Sequence, residues 1–258
     1  MSELIDRCPS GLSRQALRTW GVLAMVLGTV GMAVLQNGIL GVTNNSGASL
    51  LQVIESAPAM MGFATLALVL QVVYCCATPI FAFLLTEGFS KTANRRKYFL
   101  RVLGLALITE LPYNLAFSGK WIALENRNPV FGLIIAMAML WLFCRYPGKS
   151  VKAIALKVVV AVAALIWTWM LRIGEGPSLV LLTAVLWLLR NKERLRVLFG
   201  CVTAFVCCLF SLFYIAAPMA FLAIHFYNGE KGEENRFVNY LSYPVILLIA
   251  GILGTYLL

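Results

Sequence analysis

Clusters of Lys and Arg alternate with long apolar stretches along this chain. Five of the gaps between apolar stretches are basic, and they hold 16 of the 21 basic residues. They are the N-terminus with Arg7, Arg14 and Arg18, the segments 91–97, 145–152 and 190–196, and Lys231 with Arg236. If the apolar stretches are transmembrane helices, every basic gap faces the same side. The positive-inside rule then predicts that the N-terminus is cytoplasmic and the C-terminus lies outside.

A helix needs ~20 mostly apolar residues to cross a bilayer, and this length predicts about nine transmembrane helices. The predicted helices are 17–40, 59–86, 98–117, 129–144, 151–171, 177–189, 197–211, 212–227 and 237–258. Merging the seventh and eighth into one tilted helix gives eight spans. That merger would move Lys231 and Arg236 outside, which the charge rule disfavours.

The composition also indicates a membrane protein. Hydrophobic residues make up 61% of the chain and charged residues 12%, with a mean hydropathy of +0.86, whereas about a quarter of the residues of a soluble domain are charged. We therefore expect a single transmembrane domain over 1–258, with a short cytoplasmic segment (1–16) before an all-α helical bundle (17–258). The net charge of +10 lies in short loops rather than in one stripe, so we expect the lipid bilayer, and not nucleic acid, as a partner.

Charged side chains within apolar segments are costly and are therefore candidates for function. This chain has five of them: Glu87, Arg101, Glu110, Lys157 and His225. Glu87, Arg101 and His225 are expected near the cytoplasmic ends of their helices, together with Tyr227 and Tyr240, where they would form one polar cluster. Glu110 is expected about 18 Å further out, in the same half as Tyr113 and Asn128. The alternative is that Arg101 and Lys157 reach the lipid headgroups separately, and that His225 is a hydrogen-bonded side chain at the membrane interface.

Seven cysteines and one histidine offer no metal site. No CxxC spacing is present, and four of the cysteines form two adjacent pairs within apolar stretches, Cys75-Cys76 and Cys207-Cys208. The chain also has no phosphate-binding glycine loop, no dinucleotide fingerprint and no GxSxG serine motif. We therefore expect no metal, and we expect any function to come from polar groups within the membrane.

Five short motifs follow one another along the chain. The longest is PIFAFLLTEGF at 79–89, followed by Lys91-Thr92, Arg95, Lys97-Tyr98 and Arg101. The others are TELPYNL at 109–115, NPVFGL at 128–133, YNGEKG at 227–232 and YLSYP at 240–244. In this order they resemble the motifs of the TraX family of bacterial membrane proteins. The resemblance implies a polytopic fold related to membrane acyltransferases, and an activity like the N-terminal acetylation of conjugative pilin from acetyl-CoA.

The chain departs from that family's pattern where chemistry is expected. The family's first helix carries Met-x-x-Asp-His, which corresponds here to Met25 followed by Gly28-Thr29. The family's Gly-Arg corresponds to Tyr74-Cys75, and its C-terminal histidine to Ile246. Acyl transfer from a thioester generally needs a base near the nucleophile, most readily a histidine. The obvious base is therefore missing.

Two accounts follow from the resemblance and its gaps. In the first, Glu110 or Glu87 replaces the base, while Arg101 and the basic residues of 91–97 hold the phosphates of acetyl-CoA or another acyl-CoA, and the acceptor is a protein or glycan. The candidate catalytic residues are Glu87, Arg101 and Glu110. The candidate binding residues are Lys91, Arg95, Tyr98, Tyr113, Asn128, His225, Tyr227, Asn228 and Tyr243. In the second, the chain is a non-catalytic membrane scaffold or lipid-binding protein of the bacterial inner membrane. A small-molecule transporter is a third reading, although the chain shows no repeated halves.

Overall fold

The computed structural model describes residues 11–42, 52, 55, 58–148, 150–232 and 236–257. Within them the chain forms helices and no β-strand, so the prediction of an all-helical fold is confirmed. The α-helices are α1 (Arg14–Thr29), α2 (Met61–Cys75), α3 (Ala77–Lys91), α4 (Arg95–Ser118), α5 (Val130–Arg145), α6 (Val151–Met170), α7 (Gly176–Leu188), α8 (Glu193–Val206), α9 (Ala220–His225) and α10 (Arg236–Ile252). The π-helical segments Val30–Ile39 and Leu253–Leu257 extend α1 and α10, and the 3-10 segments are Pro58–Met60, Cys207–Leu209 and Leu212–Met219.

Five helical stretches of the described residues are long and apolar enough to cross a membrane. They are Arg14–Ile39, Pro58–Lys91, Arg95–Ser118, Val151–Met170 and Tyr240–Leu257. Three shorter apolar segments accompany them: Val130–Arg145, Gly176–Leu188 and Leu212–His225. The expected membrane-helix character is therefore confirmed. The count of nine spans and their orientation remain predictions.

The predicted second helix, 59–86, is divided in two at Cys76. Pro79 has no backbone N–H, so the carbonyl of Cys75 has no partner one turn later. At the end of α2, the N–H of Cys76 donates to the carbonyl of Val73, three residues back, at 3.0 Å. Helix α3 begins at the next residue, Ala77. The thiol of Cys76 lies 3.3 Å from the carbonyl oxygen of Ala216, which joins this break to the 3-10 segment Leu212–Met219.

The predicted seventh and eighth helices begin and end differently from the prediction. After α8 ends at Val206, two 3-10 segments precede α9. The 3-10 geometry rises about 2.0 Å per residue instead of 1.5 Å. Leu212–His225, although only 14 residues long, therefore extends about 25 Å, close to the ~30 Å of a bilayer core.

Helix α7 lies at the centre of the bundle, in contact with α3, α5, α6 and α8. Most of its residues are buried. Helix α6 is its opposite, because only Ala164 and Thr168 of its side chains are buried. In a membrane, the remaining apolar surface of α6 faces lipid.

Two glycines allow helices to approach closely. A Cβ atom added at Gly28 of α1 would lie 2.6 Å from Cδ2 and 2.7 Å from Cγ of Tyr74 on α2. A Cβ atom added at Gly254 would lie 2.6 Å from the carbonyl carbon of Ala33. Neither position has room for a side chain, so the first helix packs directly on α2 and on the C-terminal segment.

Candidate functional site

A cavity of about 610 Å³ lies between α1, α3, α4, α5, α7 and α10. Thr78 near the beginning of α3 and Lys91 at its end both line the cavity. Thirteen residues of α-helix span about 20 Å, so the cavity runs deep into the bundle along α3. Its length suits an elongated ligand.

Positive charge is concentrated at one end of this cavity. Five basic side chains line it: Arg14, Arg18, Lys91, Arg101 and Lys231. Each lies at or within about two turns of the end of its helix that adjoins a basic gap, or in the gap itself. We call this end the basic mouth. Clustered Arg and Lys side chains of this kind bind phosphate and carboxylate groups through charge-assisted hydrogen bonds.

Glu175 is the only acidic residue among the described residues that line the cavity. It lies between α6 and α7, at the end of α7 that is distant from the basic segment 190–196. Tyr214 donates a hydrogen bond to Oε2 of Glu175, and the Tyr214 oxygen lies 3.1 Å from Oγ1 of Thr78. When Glu175 is ionised, this bond uses the single phenolic proton, so Thr78 is the donor in the second bond. We call these three residues the acidic floor.

The surroundings of Glu175 change its proton affinity. Burial raises the pKa of Glu175 above its ordinary value, because the charged form is desolvated, while the hydrogen bond from Tyr214 opposes this rise. The described salt bridges do not include Glu175. A carboxylate with a raised pKa is a stronger proton acceptor than a solvated one.

A hydroxyl without a partner lies in the same cavity. Tyr243 lines it, and within the described residues its buried hydroxyl makes no hydrogen bond. A buried polar group without a partner costs free energy, which a polar ligand atom in the cavity would recover. Tyr243 therefore fits a ligand that brings a polar group deep into the bundle.

A network of polar contacts surrounds the basic mouth. Lys91 Nζ lies 2.8 Å from Oε2 of Glu87, and Nη1 of Arg196 on α8 lies 3.8 Å from Oε1 of the same carboxylate. Lys91 Nζ also donates to the hydroxyl of Tyr227 and to the carbonyl of Gly229, both at 3.3 Å. Glu87 therefore orients Lys91 at the mouth and joins α3 to α8.

The N-terminal residues close one side of this mouth by pairing with the loop after α9. The N–H of Leu12 donates to Phe226 O at 2.7 Å, and the N–H of Asn228 donates to Leu12 O at 3.0 Å. The N–H of Arg14 donates to Glu230 O at 2.9 Å. Asn228 Nδ2 adds a bond to Gly11 O at 3.2 Å. These bonds hold Arg14 and Lys231 on the same side of the cavity.

The structure brings several of the sequence-predicted residues to this cavity. Lys91, Tyr98, Arg101 and Tyr243 line it. Glu87, Tyr227 and Asn228 do not line it but belong to the polar contacts at the mouth. The Glu87 carboxylate is paired with two cations, so it suits a structural role better than a role as a proton acceptor.

Other predicted residues do not line the cavity. Glu110 Oε2 accepts a hydrogen bond from the backbone N–H of Asn128 at 3.2 Å, and neither residue lines the cavity. Tyr113 is buried and stacks on Phe117, with the ring centroids 4.3 Å apart. Arg95 lies over the ring of Phe89, 4.6 Å from its centroid. His225 is exposed and packs edge-on against Phe226.

Sequence reasoning did not single out Glu175 or Tyr214 as functional residues. The Gly174-Glu175-Gly176-Pro177 sequence indicates a turn and a helix start, but nothing in it separates Glu175 from a solvated loop acid. Arg14, Arg18 and Lys231 were used only to predict topology. The sequence signal that identifies these three residues is their position at equivalent ends of neighbouring helices.

At Gly28 and Thr29, where the chain departs from the family's Asp-His, the residues serve helix packing and local hydrogen bonding. At Gly28, the ring of Tyr74 occupies the space that a side chain would need. The hydroxyl of Thr29 donates to Met25 O at 2.7 Å. No three His, Cys, Asp or Glu side chains of the described chain are grouped in a way that could hold a metal ion.

Comparison with known proteins identifies the family. The model of the family described as TraX protein matches residues 13–254, nearly the whole chain. No curated protein and no solved structure matches the sequence. The match includes every helix that forms the cavity. The chain therefore belongs to the TraX protein family.

Proposed function

We propose that this protein is a membrane acyltransferase that takes an acyl group from acetyl-CoA or another acyl-CoA and transfers it to a protein or glycan acceptor. The observation that carries the proposal is the cavity of about 610 Å³, whose described lining has five basic side chains at one end and one acid, Glu175, at the other. A CoA thioester has a matching asymmetry. Its phosphates are at one end, and its acyl group is at the end of a long neutral arm.

The lining residues suggest how such a donor would be held. Arg14, Arg18 and Arg101 offer planar guanidinium groups that pair with phosphate oxygens. Lys91, already oriented by Glu87, adds a further charge. Apolar side chains between the two ends, among them Leu84, Leu133 and Leu179, exclude water from the arm. The acyl group would then lie near the acidic floor, beside the hydroxyl of Tyr243.

We place the protein in the bacterial inner membrane, with the basic mouth toward the cytoplasm. The positive-inside rule supports this orientation, because the cavity's cations come from the same gaps as the chain's other basic clusters. CoA thioesters are made and used in the cytoplasm, so this orientation gives the donor direct access to the mouth.

Heat stability in detergent tests donor binding. We expect acetyl-CoA to raise the melting temperature of the purified protein, because a ligand that binds only the folded state stabilises it, by about 2.7 kcal/mol at 100 times its Kd. Arg101→Ala removes one charge-assisted contact, worth about 1.5 to 3 kcal/mol. We therefore expect the Kd for acetyl-CoA to rise roughly tenfold or more.

Arg96→Ala is the matched control for this experiment. Arg96 is exposed on the same helix and does not line the cavity, so its loss should leave the protection unchanged. Absence of protection at millimolar acetyl-CoA would contradict the proposal and favour a non-catalytic family member. So would equal protection of the wild type and Arg101→Ala.

A further inference from the structure

We propose that Glu175 is the general base of this acyl transfer, and that Tyr214 and Thr78 position it. The inference rests on the proposed function, since it concerns the same cavity, but it assigns a residue that neither the sequence motifs nor the family match singles out. The carboxylate of Glu175 would accept the proton of the acceptor's amine or hydroxyl group.

The first argument is the position of Glu175 in the cavity. Phosphates bound at the basic mouth place the opposite end of a CoA thioester deep in the bundle, and Glu175 is the acid that lines that depth. Its contact with Thr78 through Tyr214 locates it at the beginning of α3, about 20 Å from Lys91 along that helix. The acids proposed from sequence, Glu87 and Glu110, do not line the cavity.

The second argument is the way in which Glu175 is held. Tyr214 binds Oε2, whereas Oε1 makes no hydrogen bond within the part of the chain that the structure describes. A base needs one oxygen free for the incoming proton and a fixed orientation for the carboxylate. Tyr214 is fully buried and Thr78 nearly so, so both positioning residues belong to the rigid interior.

The third argument is the charge around Glu175. The titratable groups near it are Tyr74 and Cys75 on α2, Tyr113 on α4, Cys207 after α8, and Tyr214. All of them are weak acids, and none is a cation that would hold the carboxylate in a salt bridge. Glu87, in contrast, contacts Lys91 and Arg196. Glu175 therefore keeps the capacity to bind a proton.

The backbone supports the same conclusion independently. Glu175 has φ 58° and ψ 1°, the left-handed conformation that is uncommon for residues other than glycine. A glycine would adopt it without steric cost. The turn itself does not need a glutamate, so the Glu175 side chain adds backbone strain without helping the turn. Strain of this kind is typical of functional positions.

The reaction that this assignment implies is balanced. The acceptor's nitrogen or oxygen attacks the carbonyl carbon of the thioester. The new C–N or C–O bond forms, the C–S bond breaks, and the sulfur leaves with the bonding electron pair. The acceptor's proton passes to Glu175 and then to the departing sulfur. The products are the acylated acceptor and CoA with a free thiol.

Release of the CoA thiol from acetyl-CoA by the purified full-length protein tests the assignment. With a short peptide that has a free N-terminus as acceptor, we expect Glu175→Gln to lower the rate by about 10²- to 10⁴-fold, the usual contribution of general base catalysis. With hydroxylamine, a nucleophile that attacks thioesters without such assistance, we expect the variant to recover most of the lost rate. A purely structural role would not produce that recovery.

The outcomes separate this inference from the donor site. If acetyl-CoA protects the wild type and Glu175→Gln equally against heat, while only the wild type releases the thiol rapidly, both proposals stand. If protection is present and both proteins release the thiol faster than the reaction without protein but at equal rates, the assignment of Glu175 is overturned alone. If protection is present but neither protein exceeds the rate without protein, acyl transfer and the assignment of Glu175 are contradicted together, and only donor binding stands. If acetyl-CoA protects neither, the donor site and Glu175 fall together.

Tyr214→Phe provides a second variant that keeps the carboxylate. In the wild type, the hydrogen bond from Tyr214 favours the charged form of Glu175. Tyr214→Phe removes this bond and therefore raises the pKa of Glu175 further. Because the base must be unprotonated, the rate rises with pH through that pKa. We expect the rising part of the pH–rate profile to move to higher pH in Tyr214→Phe. An unmoved profile would contradict the positioning role of Tyr214.

Discussion

Gly28→Ala is expected to lower the free energy of unfolding by about 3 kcal/mol, at the upper end of the range for overpacked cores. The added methyl group would meet Cδ2 and Cγ of Tyr74 at 2.6 and 2.7 Å. The methyl group would also meet Cβ of Tyr74, whose position is fixed by the backbone of α2, so a change of rotamer cannot remove the collision. The two helices must separate, and the melting temperature in detergent should fall accordingly.

Gly104→Ala is the matched control for this change. Gly104 also lies within a helix, but a Cβ atom there would meet nothing within 4 Å. We expect this variant to be as stable as the wild type, or more stable by up to about 1 kcal/mol, because alanine favours the helix over glycine. Equal destabilisation by the two substitutions would show that the contact with Tyr74 does not account for the effect at Gly28.

A double-mutant cycle localises the collision. Tyr74→Ala alone should cost about 3 to 5 kcal/mol, as for other large buried aromatic residues, and it creates the space that the Gly28→Ala methyl group needs. The double variant should therefore be little less stable than Tyr74→Ala alone, with a coupling energy of up to about 3 kcal/mol. Additive effects would contradict direct packing of the two residues.

Glu87→Gln is expected to destabilise the protein by roughly 3 kcal/mol, the lower end of the range for breaking a buried ion pair. The Arg196 side chain is only 11% exposed, and its nearest acid is Glu87 at 3.8 Å. Its Nε already has no hydrogen bond among the described residues. Without the carboxylate, the charge of Arg196 stays buried and uncompensated. Thermal unfolding in detergent measures the loss.

Arg196→Met tests whether this loss comes from the stranded cation. In the background of Glu87→Gln, it should restore most of the lost stability, since a buried pair replaced by apolar groups is often neutral. Arg194→Met is the control, because Arg194 is exposed on the same helix and should change stability by less than about 0.5 kcal/mol. The absence of rescue by Arg196→Met would show that Glu87 acts mainly through Lys91.

The sequence predicts the membrane-helix class and, as site residues, two of the basic residues that line the cavity, Lys91 and Arg101. The charge pattern is useful because the N-terminal segment, the segment around 91–101 and the gap with Lys231 meet at one cavity, so that Arg14, Lys91, Arg101 and Lys231 approach one another without any special motif. Proximity of this kind follows from the alternation of helices alone. It requires no knowledge of which helix faces touch.

The acidic floor, in contrast, depends on packing that the sequence does not reveal. Glu175 follows α6 in a short connection that the charge pattern assigns to the outer side, where a solvated acid is expected. It enters the cavity because α7 lies at the centre of the bundle and is only 13 residues long.

The sequence does not predict the position of His225 either, for a different reason. The 3-10 segment before α9 turns by about 120° per residue instead of 100°, so a helical pattern does not predict which face His225 occupies.

The pairing of Leu12 and Arg14 with residues 226–230 has a consequence for biosynthesis. Gly11 and Asn228, which are joined by a hydrogen bond, are separated by 217 positions. A ribosome that inserts the chain helix by helix completes the second partner only after it has made the residues that separate Asn228 from Gly11. Contacts at such sequence separation form slowly, because a long loop must close first. The basic mouth is therefore completed late, so that a chain whose synthesis stops before Asn228 contains most of its hydrophobic helices but lacks the contacts that close this mouth.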